Sequence, residues 1–134
     1  MARSVTDLIP STKAESDQAR KLVAMGYPAV APALAEMLEW VEDPSWPVAQ
    51  VFLPFLASIG APLAPHVRYV LETHDEQWKR VVLGGIVGES KALAQALTVD
   101  LHRLKDSPSA AEKAEGLDVL ADELFWKYCG DGRA

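Results

Sequence analysis

The 134-residue sequence predicts an all-α protein, built as a single stack of about seven helices. Two observations support this fold class. Apolar residues recur at spacings of three and four in successive segments, as they do on one face of an α-helix, and no segment sustains the period-two alternation of a half-buried strand. Corners rich in Pro, Gly and Asp separate these segments at similar distances, which is typical of stacked helical hairpins.

Length and composition indicate one globular domain that spans residues 1–134. Hydrophobic residues make up 49% of the chain and charged residues 24%, which is ordinary for a globular protein. A chain of this length can bury a sizeable core. We expect residues 1–13 to form an extended N-terminal arm and residues 129–134 to form a flexible tail.

The first two predicted helices lie on either side of Gly26. The first spans about Glu15 to Met25 and ends at this glycine, a residue favoured just after a helix. The second begins at Pro28, because proline suits the first position of a helix, and runs to about Glu42. A turn at Asp43-Pro44-Ser45 follows.

The third predicted helix opens at Pro47 and ends at Gly60. Pro54 should kink it, because proline removes one intrahelical hydrogen bond. The fourth begins at Pro62 and ends at a corner formed by His74-Asp75, and the fifth follows that corner.

The last two predicted helices carry clear starting signals. Ser90 can cap the sixth, which runs to a turn at Asp106-Ser107-Pro108. Ser109 and Glu112 have the spacing of a capping box, so they should start the seventh helix, which runs to about Tyr128.

Several residue types recur at a common interval, the size of one helical hairpin. Trp78 repeats Trp46 at this interval, and Pro62 repeats Pro28 at a nearly equal one. Each predicted hairpin thus opens with Pro, turns at an Asp and enters its return helix by a Trp. A repeated hairpin of this size indicates an alpha solenoid. An ordinary helical bundle with two tryptophans at a similar spacing is the alternative.

Short motifs accompany this pattern over residues 8–80, with a weaker helical match to about residue 125. They are Leu8-Ile9-Pro10, Gly26-Tyr27-Pro28-Ala29-Val30, Leu38-Glu39-Trp40, Trp46-Pro47-Val48-Ala49, Ser58-Ile59-Gly60, Pro65-His66 and Trp78-Lys79. Together they resemble a small bacterial family of helical domains of unknown function. The resemblance implies a HEAT-like alpha-alpha superhelix, and it brings no assigned activity or catalytic residue.

The charge balance argues against nucleic acid as a partner. The net charge is −6, and residues 1–60 hold four basic and seven acidic residues against nine and twelve in residues 61–134. The excess of acidic over basic residues is therefore the same in the two halves of the sequence. Neither half offers the clustered Lys and Arg that neutralise phosphates.

Membrane association and disulfide chemistry are also not expected. No apolar run approaches the ~20 residues of a membrane-spanning helix, and the first residues lack the apolar region of a signal peptide. Cys129 is the only cysteine, so an intramolecular disulfide and a multi-cysteine zinc site are excluded. These features predict a cytoplasmic protein.

An acidic cluster closes the second predicted helix. It contains Glu36, Glu39, Glu42 and Asp43. Glu36 and Glu39 share a helix face, so they could bind a hard cation or serve as a paired acid and base. A solvated helix face is the favoured interpretation.

Histidine and cysteine offer no local site. His66, His74 and His102 are scattered, and no pair has the spacing that places two imidazoles on one helical turn. Cys129 lies near acidic residues, which oppose the thiolate that a nucleophile needs. We therefore expect no catalytic residue, no metal site and no cofactor.

The function most consistent with these features is non-enzymatic protein–protein interaction through the concave face of a short helical solenoid. That face is normally lined by the second helix of each hairpin. Its candidate residues, together with two tryptophans beside charged residues, are Trp40, Gln50, Lys79, Arg80, Glu123, Trp126 and Lys127. The alternative is a small-molecule-binding protein or an enzyme with a pocket in the same groove.

Lys79 and Arg80 form the only basic pair at a predicted groove position. We expect this pair to bind an acidic patch on an unknown protein partner, with Arg80 holding a carboxylate through two hydrogen bonds. The protein itself should be a monomer or a weak homodimer.

The same pair is too small for tight binding to duplex DNA, which requires contacts to several phosphates. We predict no measurable duplex binding at physiological salt in a gel-shift titration. Submicromolar binding that weakens with added salt would contradict this prediction.

Overall fold

A computed structural model describes residues 5–130, which contain nine α-helices, four short 3₁₀ turns and no strand. The predicted all-helical class is confirmed. The helices are α1 Ser16–Ala24, α2 Leu34–Glu39, α3 Pro47–Ile59, α4 Ala64–Leu71, α5 Glu76–Gly85, α6 Lys91–Ala96, α7 Thr98–Asp106, α8 Ala110–Ala114 and α9 Leu117–Tyr128. The 3₁₀ turns are Val5–Leu8, Ala31–Ala33, Ala61–Leu63 and Val87–Glu89.

The described residues hold nine helices instead of about seven because the last two predicted helices are each divided. Leu97 leaves the helical conformation between α6 and α7, with φ −107° and ψ 20°. Gly116 separates α8 from α9 with φ 79°. Such a φ suits glycine and strains residues that carry a Cβ atom. The hydrophobic spacing continues across both breaks, so the sequence pattern hides them.

The second helix begins later than predicted. Residues 27–30 form turns, Pro32 lies in the 3₁₀ turn Ala31–Ala33, and α2 starts only at Leu34. Pro32 has no N–H group to donate to the carbonyl of Pro28, so the two prolines cannot share a regular helical hydrogen bond. In contrast, α3 continues through Pro54, which lies on its exposed side.

The starts of α3 and α5 are closer together in the sequence than the two tryptophans. The turns Ala31–Ala33 and Ala61–Leu63 are equivalent, because each carries a proline and each directly precedes a helix. Trp46 is the residue before α3, whereas Trp78 is the third residue of α5, so the interval between the two tryptophans exceeds the interval between the two helix starts. The prediction that the tryptophans occupy equivalent corners is therefore wrong.

The helices pack in two rows. In one row, α1 lies against α3, α3 against α5, and α5 against α9. In the other, α2 contacts α4, and the 3₁₀ turn before α4 contacts α6. α7 packs along α9, which also contacts α6 and α8. The largest fully buried side chains are Phe52, Leu22, Leu34, Met37, Leu38, Leu56, Leu63, Leu83, Ile86, Leu93, Leu97 and Leu101.

The N-terminal residues are more ordered than an extended arm. Val5–Leu8 forms a 3₁₀ turn, and Leu8 and Pro10 are buried against the body of the protein. Residues 1–4, and residues 131–134 of the expected tail, lie outside the described residues.

Over residues 5–130, no single helix is long and apolar enough to cross a membrane. Within that range, α3 taken together with Ala61–Leu71 has the required length and composition, but these two segments are bent by 113°. Their main apolar side chains, among them Phe52, Leu56 and Val67, lie in the core.

Trp78 connects α5 to α2. Its side chain is 6% exposed, and its indole Nε1 donates a hydrogen bond of 2.9 Å to the carbonyl of Leu38, in the last turn of α2. Its own backbone N–H donates to the side chain of Asp75, which caps α5. A short helix such as α2 is marginal by itself, so this contact helps to hold α2 in place.

We predict that Trp78→Ala lowers the free energy of unfolding by roughly 3–5 kcal/mol, because it opens a large cavity and removes the bond to Leu38. Trp46→Ala is the matched control and should cost less, because Trp46 is only partly buried. Urea unfolding of both variants measures the difference. Equal losses for the two tryptophans would contradict this prediction.

Candidate functional site

An apolar groove lies between α2 and α4. Its volume is about 320 Å³, and Trp78 of α5 forms part of its lining. This volume is at the lower end of the range for ligand pockets, which combine apolar walls with a few polar groups. The residues that line it are Ala35, Leu38, Glu39, Pro65, His66, Tyr69, Val70 and Trp78.

The helical spacing of residues in α4 explains which of its side chains line this groove. Val67 and Val70 face the core, which leaves His66 and Tyr69 on another face, one turn of the helix apart. His66 is half-buried, whereas Tyr69 is 65% exposed although its ring is large and apolar. Tyrosine is among the residue types enriched at the energetically important positions of protein interfaces.

The polar groups at the rim of the groove are free to bind. Within residues 5–130, the side chains of Glu39, His66 and Tyr69 have no hydrogen bond and no ion pair. Arg68, on the same helix, differs: it donates to the carboxylate of Asp100 at 3.0 Å and to the carbonyl of Ala96 at 2.9 Å. A ligand can therefore contact the rim without breaking an internal hydrogen bond.

This arrangement can hold an apolar group and form hydrogen bonds around it. Glu39 accepts hydrogen bonds, while the imidazole of His66 and the hydroxyl of Tyr69 can donate or accept them. No three His, Cys, Asp or Glu side chains in the described part of the chain come together in a way that could hold a metal ion. In the described residues, no third ligand thus supports the interpretation that Glu36 and Glu39 bind a hard cation.

A second depression lies at the acidic end of α2. It has a volume of about 340 Å³, and Trp40 and Trp46 meet in it edge to face, with ring centroids 5.9 Å apart. Glu39 lines this depression as well as the groove, so the two are adjacent. Its lining consists of Ile9, Pro10, Glu36, Glu39, Trp40, Glu42 and Trp46.

The carboxylates around this depression differ in their roles. Partial burial, followed by repulsion from Asp75 and Glu39, raises the pKa of Glu42. Asp43 has the opposite shift: the hydroxyl and backbone N–H of Ser45 donate to it at 2.7 and 2.9 Å and lower its pKa. Asp43 thus stabilises the turn before α3, whereas Glu42 lies in an unfavourable negative field.

The acidic excess is concentrated in one segment. Residues 34–78 contain seven acidic residues and a single basic residue, Arg68, which gives a charge of −6. The remaining residues contain twelve acidic and twelve basic residues, so they are neutral overall. The even distribution inferred from the two halves of the sequence is therefore wrong, because the boundary at residue 60 divides this segment.

Lys79 is buried, so the expectation that it lies exposed in a groove is wrong. Its ammonium group lies 2.9 Å from Oε2 of Glu112 and 3.1 Å from Oε2 of Glu76, and its side chain is 3% exposed. Glu112 belongs to α8 and is 33 residues away. The helical spacing of α5 alone does not reveal this partner.

Arg80 is exposed, as expected, but it is also held in place. Its guanidinium donates to the carbonyl of Glu115 at 2.7 Å. It lines a separate groove of about 430 Å³ in which Leu53 and Val81 supply apolar surface. None of the other six predicted surface residues lines that groove.

The remaining predicted residues are dispersed. Gln50 is exposed on α3, and Glu123, Trp126 and Lys127 are exposed on α9, while Trp40 is half-buried in the depression at α2. The indole of Trp126 donates to Asp122 at 3.1 Å, so it is engaged within its own helix. The structure does not bring the predicted set together into one site.

The residues that form the groove were missed by reasoning from the sequence. The sequence suggested a chemical role for Glu39 only within the acidic cluster, and it suggested a structural role for Trp78 at a helix corner. His66 and Tyr69 share a helix face that Val67 and Val70 leave outside the core, and this pattern could have identified them.

Glu112 holds Lys79 in a buried ion cluster. The guanidinium of Arg103 donates to both of its carboxylate oxygens, at 2.9 and 3.0 Å. The backbone N–H of Ser109 donates to Oε1 at 2.9 Å and completes the predicted capping box. The hydrogen bonds from Arg103 are the main reason that the pKa of Glu112 lies far below its ordinary value of 4.5.

We predict that Glu112→Gln lowers the free energy of unfolding at pH 7 by about 3 kcal/mol, because it removes one of the two carboxylates that pair with the buried Lys79. A group whose pKa is lowered by folding stabilises the protein above its unfolded pKa and loses that contribution as the pH falls below it. The difference between the native protein and the variant should therefore shrink as the pH falls below about 4.5.

Urea unfolding at a series of pH values measures this difference. Glu123→Gln, on an exposed face of α9, is the matched control and should have little effect at any pH. A Glu112→Gln deficit that stays constant down to strongly acid pH would contradict the prediction.

Comparison with known proteins adds one finding about the chain as a whole. The model of a family described as Domain of unknown function (DUF5071) matches residues 8–125. No curated protein matches the sequence. The match covers α1 to α8 and most of α9, including every residue of the groove.

Proposed function

We propose that this chain, which belongs to the DUF5071 family of domains of unknown function, is a non-enzymatic protein-interaction domain. In this proposal the groove between α2 and α4 holds an apolar side chain of the partner. The observation that carries it is the exposed ring of Tyr69 beside an apolar groove with an unengaged polar rim.

Rigidity of the groove supports this role. Trp78 is buried and hydrogen-bonded to α2, so this part of the lining exists before a partner arrives. A preformed surface avoids the cost of ordering its side chains on binding. Tyrosine and tryptophan are also the residues that most often dominate the binding energy of protein interfaces.

We further propose that the helices form a HEAT-like superhelix. The recurrence of a proline-bearing 3₁₀ turn before α2 and again before α4, and the two rows of neighbouring helices, support this architecture. The groove lies between helices of the α2–α4 row. Because Lys79 is buried in the other row, we assign the interaction to the α2–α4 row instead of the row of α3, α5 and α9.

We predict that Tyr69→Ala weakens partner binding at least about tenfold, equivalent to about 1.4 kcal/mol, with little loss of stability because Tyr69 is mostly exposed. Trp126→Ala removes an exposed aromatic ring from α9 and is the control, which should leave binding unchanged. Titration of a purified partner by calorimetry measures both affinities.

The partner is first identified by photo-crosslinking in the cell that makes the protein, with p-benzoylphenylalanine at position 69 or 126. A protein adduct is expected at position 69. Absence of that adduct, or equal losses of affinity in the two alanine variants, would contradict the proposed function. A small-molecule adduct at position 69 would instead favour a ligand-binding role.

A further inference from the structure

We infer that the partner segment entering the groove is basic: it carries lysine or arginine next to its apolar anchor. The inference rests on the proposed function and adds the chemistry of the partner. It follows from three observations: the charge of residues 34–78, the shortage of free cations among them, and the position of Glu39.

The charge of this part of the chain is not balanced internally. Arg68 is the only basic residue among residues 34–78, and it is already paired with Asp100, outside the segment. Lys79, which follows directly, is buried between Glu76 and Glu112. No cation of the segment therefore pairs with Glu36, Glu39 or Glu42.

Glu39 connects the apolar groove to the acidic depression. It lines both, with Tyr69 and Trp78 on one side and Trp40, Glu36 and Glu42 on the other. An apolar side chain in the groove thus places the next residues of a partner beside these carboxylates. The rings of Trp40 and Trp46 can also attract a cation through their π faces.

The free protein keeps these carboxylates in an unfavourable position. Glu39 closes α2 and Glu42 follows it, at the negative end of the helix dipole, and the last turn of α2 contains no basic residue. Partial burial of Glu42, followed by repulsion from Asp75 and Glu39, raises its pKa and adds to this cost. A cation of the partner relieves the repulsion, so part of the binding energy comes from charges that oppose one another in the free state.

Other partners fit this surface less well. Nucleic acids, anionic membranes and acidic proteins all carry the same sign of charge as residues 34–78, and like charges brought together disfavour association. A basic and apolar segment of a protein satisfies both the groove and the carboxylates.

Three synthetic peptides test the inference. Each is acetylated and amidated and has the sequence Gly-Ser-Leu-X-X-Ser-Gly, where X-X is Lys-Lys, Gln-Gln or Glu-Glu. Binding is followed by NMR shifts of the Trp78 indole N–H and of the Glu39 and Tyr69 amides. The Lys-Lys peptide should bind at least about fivefold more tightly than the Gln-Gln peptide, as expected for two solvent-exposed ion pairs. Raising sodium chloride from about 50 to about 500 mM should abolish most of this preference.

A charge-matched pair of variants locates the effect. Glu36→Gln, Glu39→Gln and Glu42→Gln together should remove the preference for Lys-Lys. The control, Glu89→Gln, Asp118→Asn and Glu123→Gln together, changes the net charge equally and should retain most of it, because these residues lie on 3₁₀ and α9 segments elsewhere.

The outcomes separate the two proposals. If all three peptides shift the groove signals equally, or if the preference survives in the first variant, the basic-partner inference is overturned while the groove remains a binding site. If the Lys-Lys peptide shifts none of these signals, the inference also fails, and the crosslinking at position 69 decides the proposed function independently.

Discussion

The buried carboxylate of Glu112 is the contact on which the C-terminal half of the fold depends. It accepts hydrogen bonds from Lys79 of α5, from Arg103 of α7 and from the backbone before α8, and so joins α5 to two consecutive helices later in the chain. An ammonium group is costly to bury unless it is paired. Glu112 and Glu76 meet that requirement for Lys79, which in turn fixes the face that α5 presents to α2.

The position of Lys79 also affects the candidate site, because the preceding residue, Trp78, lines it. Trp78 donates to the carbonyl of Leu38 and lines the groove between α2 and α4. Two consecutive residues of α5 thus serve different purposes: one anchors the later helices, and the other shapes a surface between the earlier ones. The short α2 has little stability of its own, so the groove depends on packing that is determined elsewhere in the chain.

Local signals in the sequence were sufficient for the fold class and for several boundaries. Helical spacing and the capping box at Ser109 give the helical class and the start of α8, and Gly60 ends α3 as predicted. The breaks at Leu97 and Gly116 and the late start of α2 depend on backbone geometry that hydrophobic spacing does not record. The candidate site was harder to predict from the sequence than the fold. The burial of Lys79 requires a partner 33 residues away, and the groove requires α2, α4 and α5 to converge.

The adjacency of Trp78 and Lys79 has a consequence for how related sequences can diverge. A replacement of Lys79 by a neutral residue leaves Arg103 as the one cation paired with Glu112, and a replacement of Glu112 leaves the ammonium group of Lys79 paired with Glu76 only. Positions 79 and 112 are therefore expected to covary. Because Trp78 directly precedes Lys79 on α5, a change in this ion pair is also expected to alter how Trp78 packs against α2.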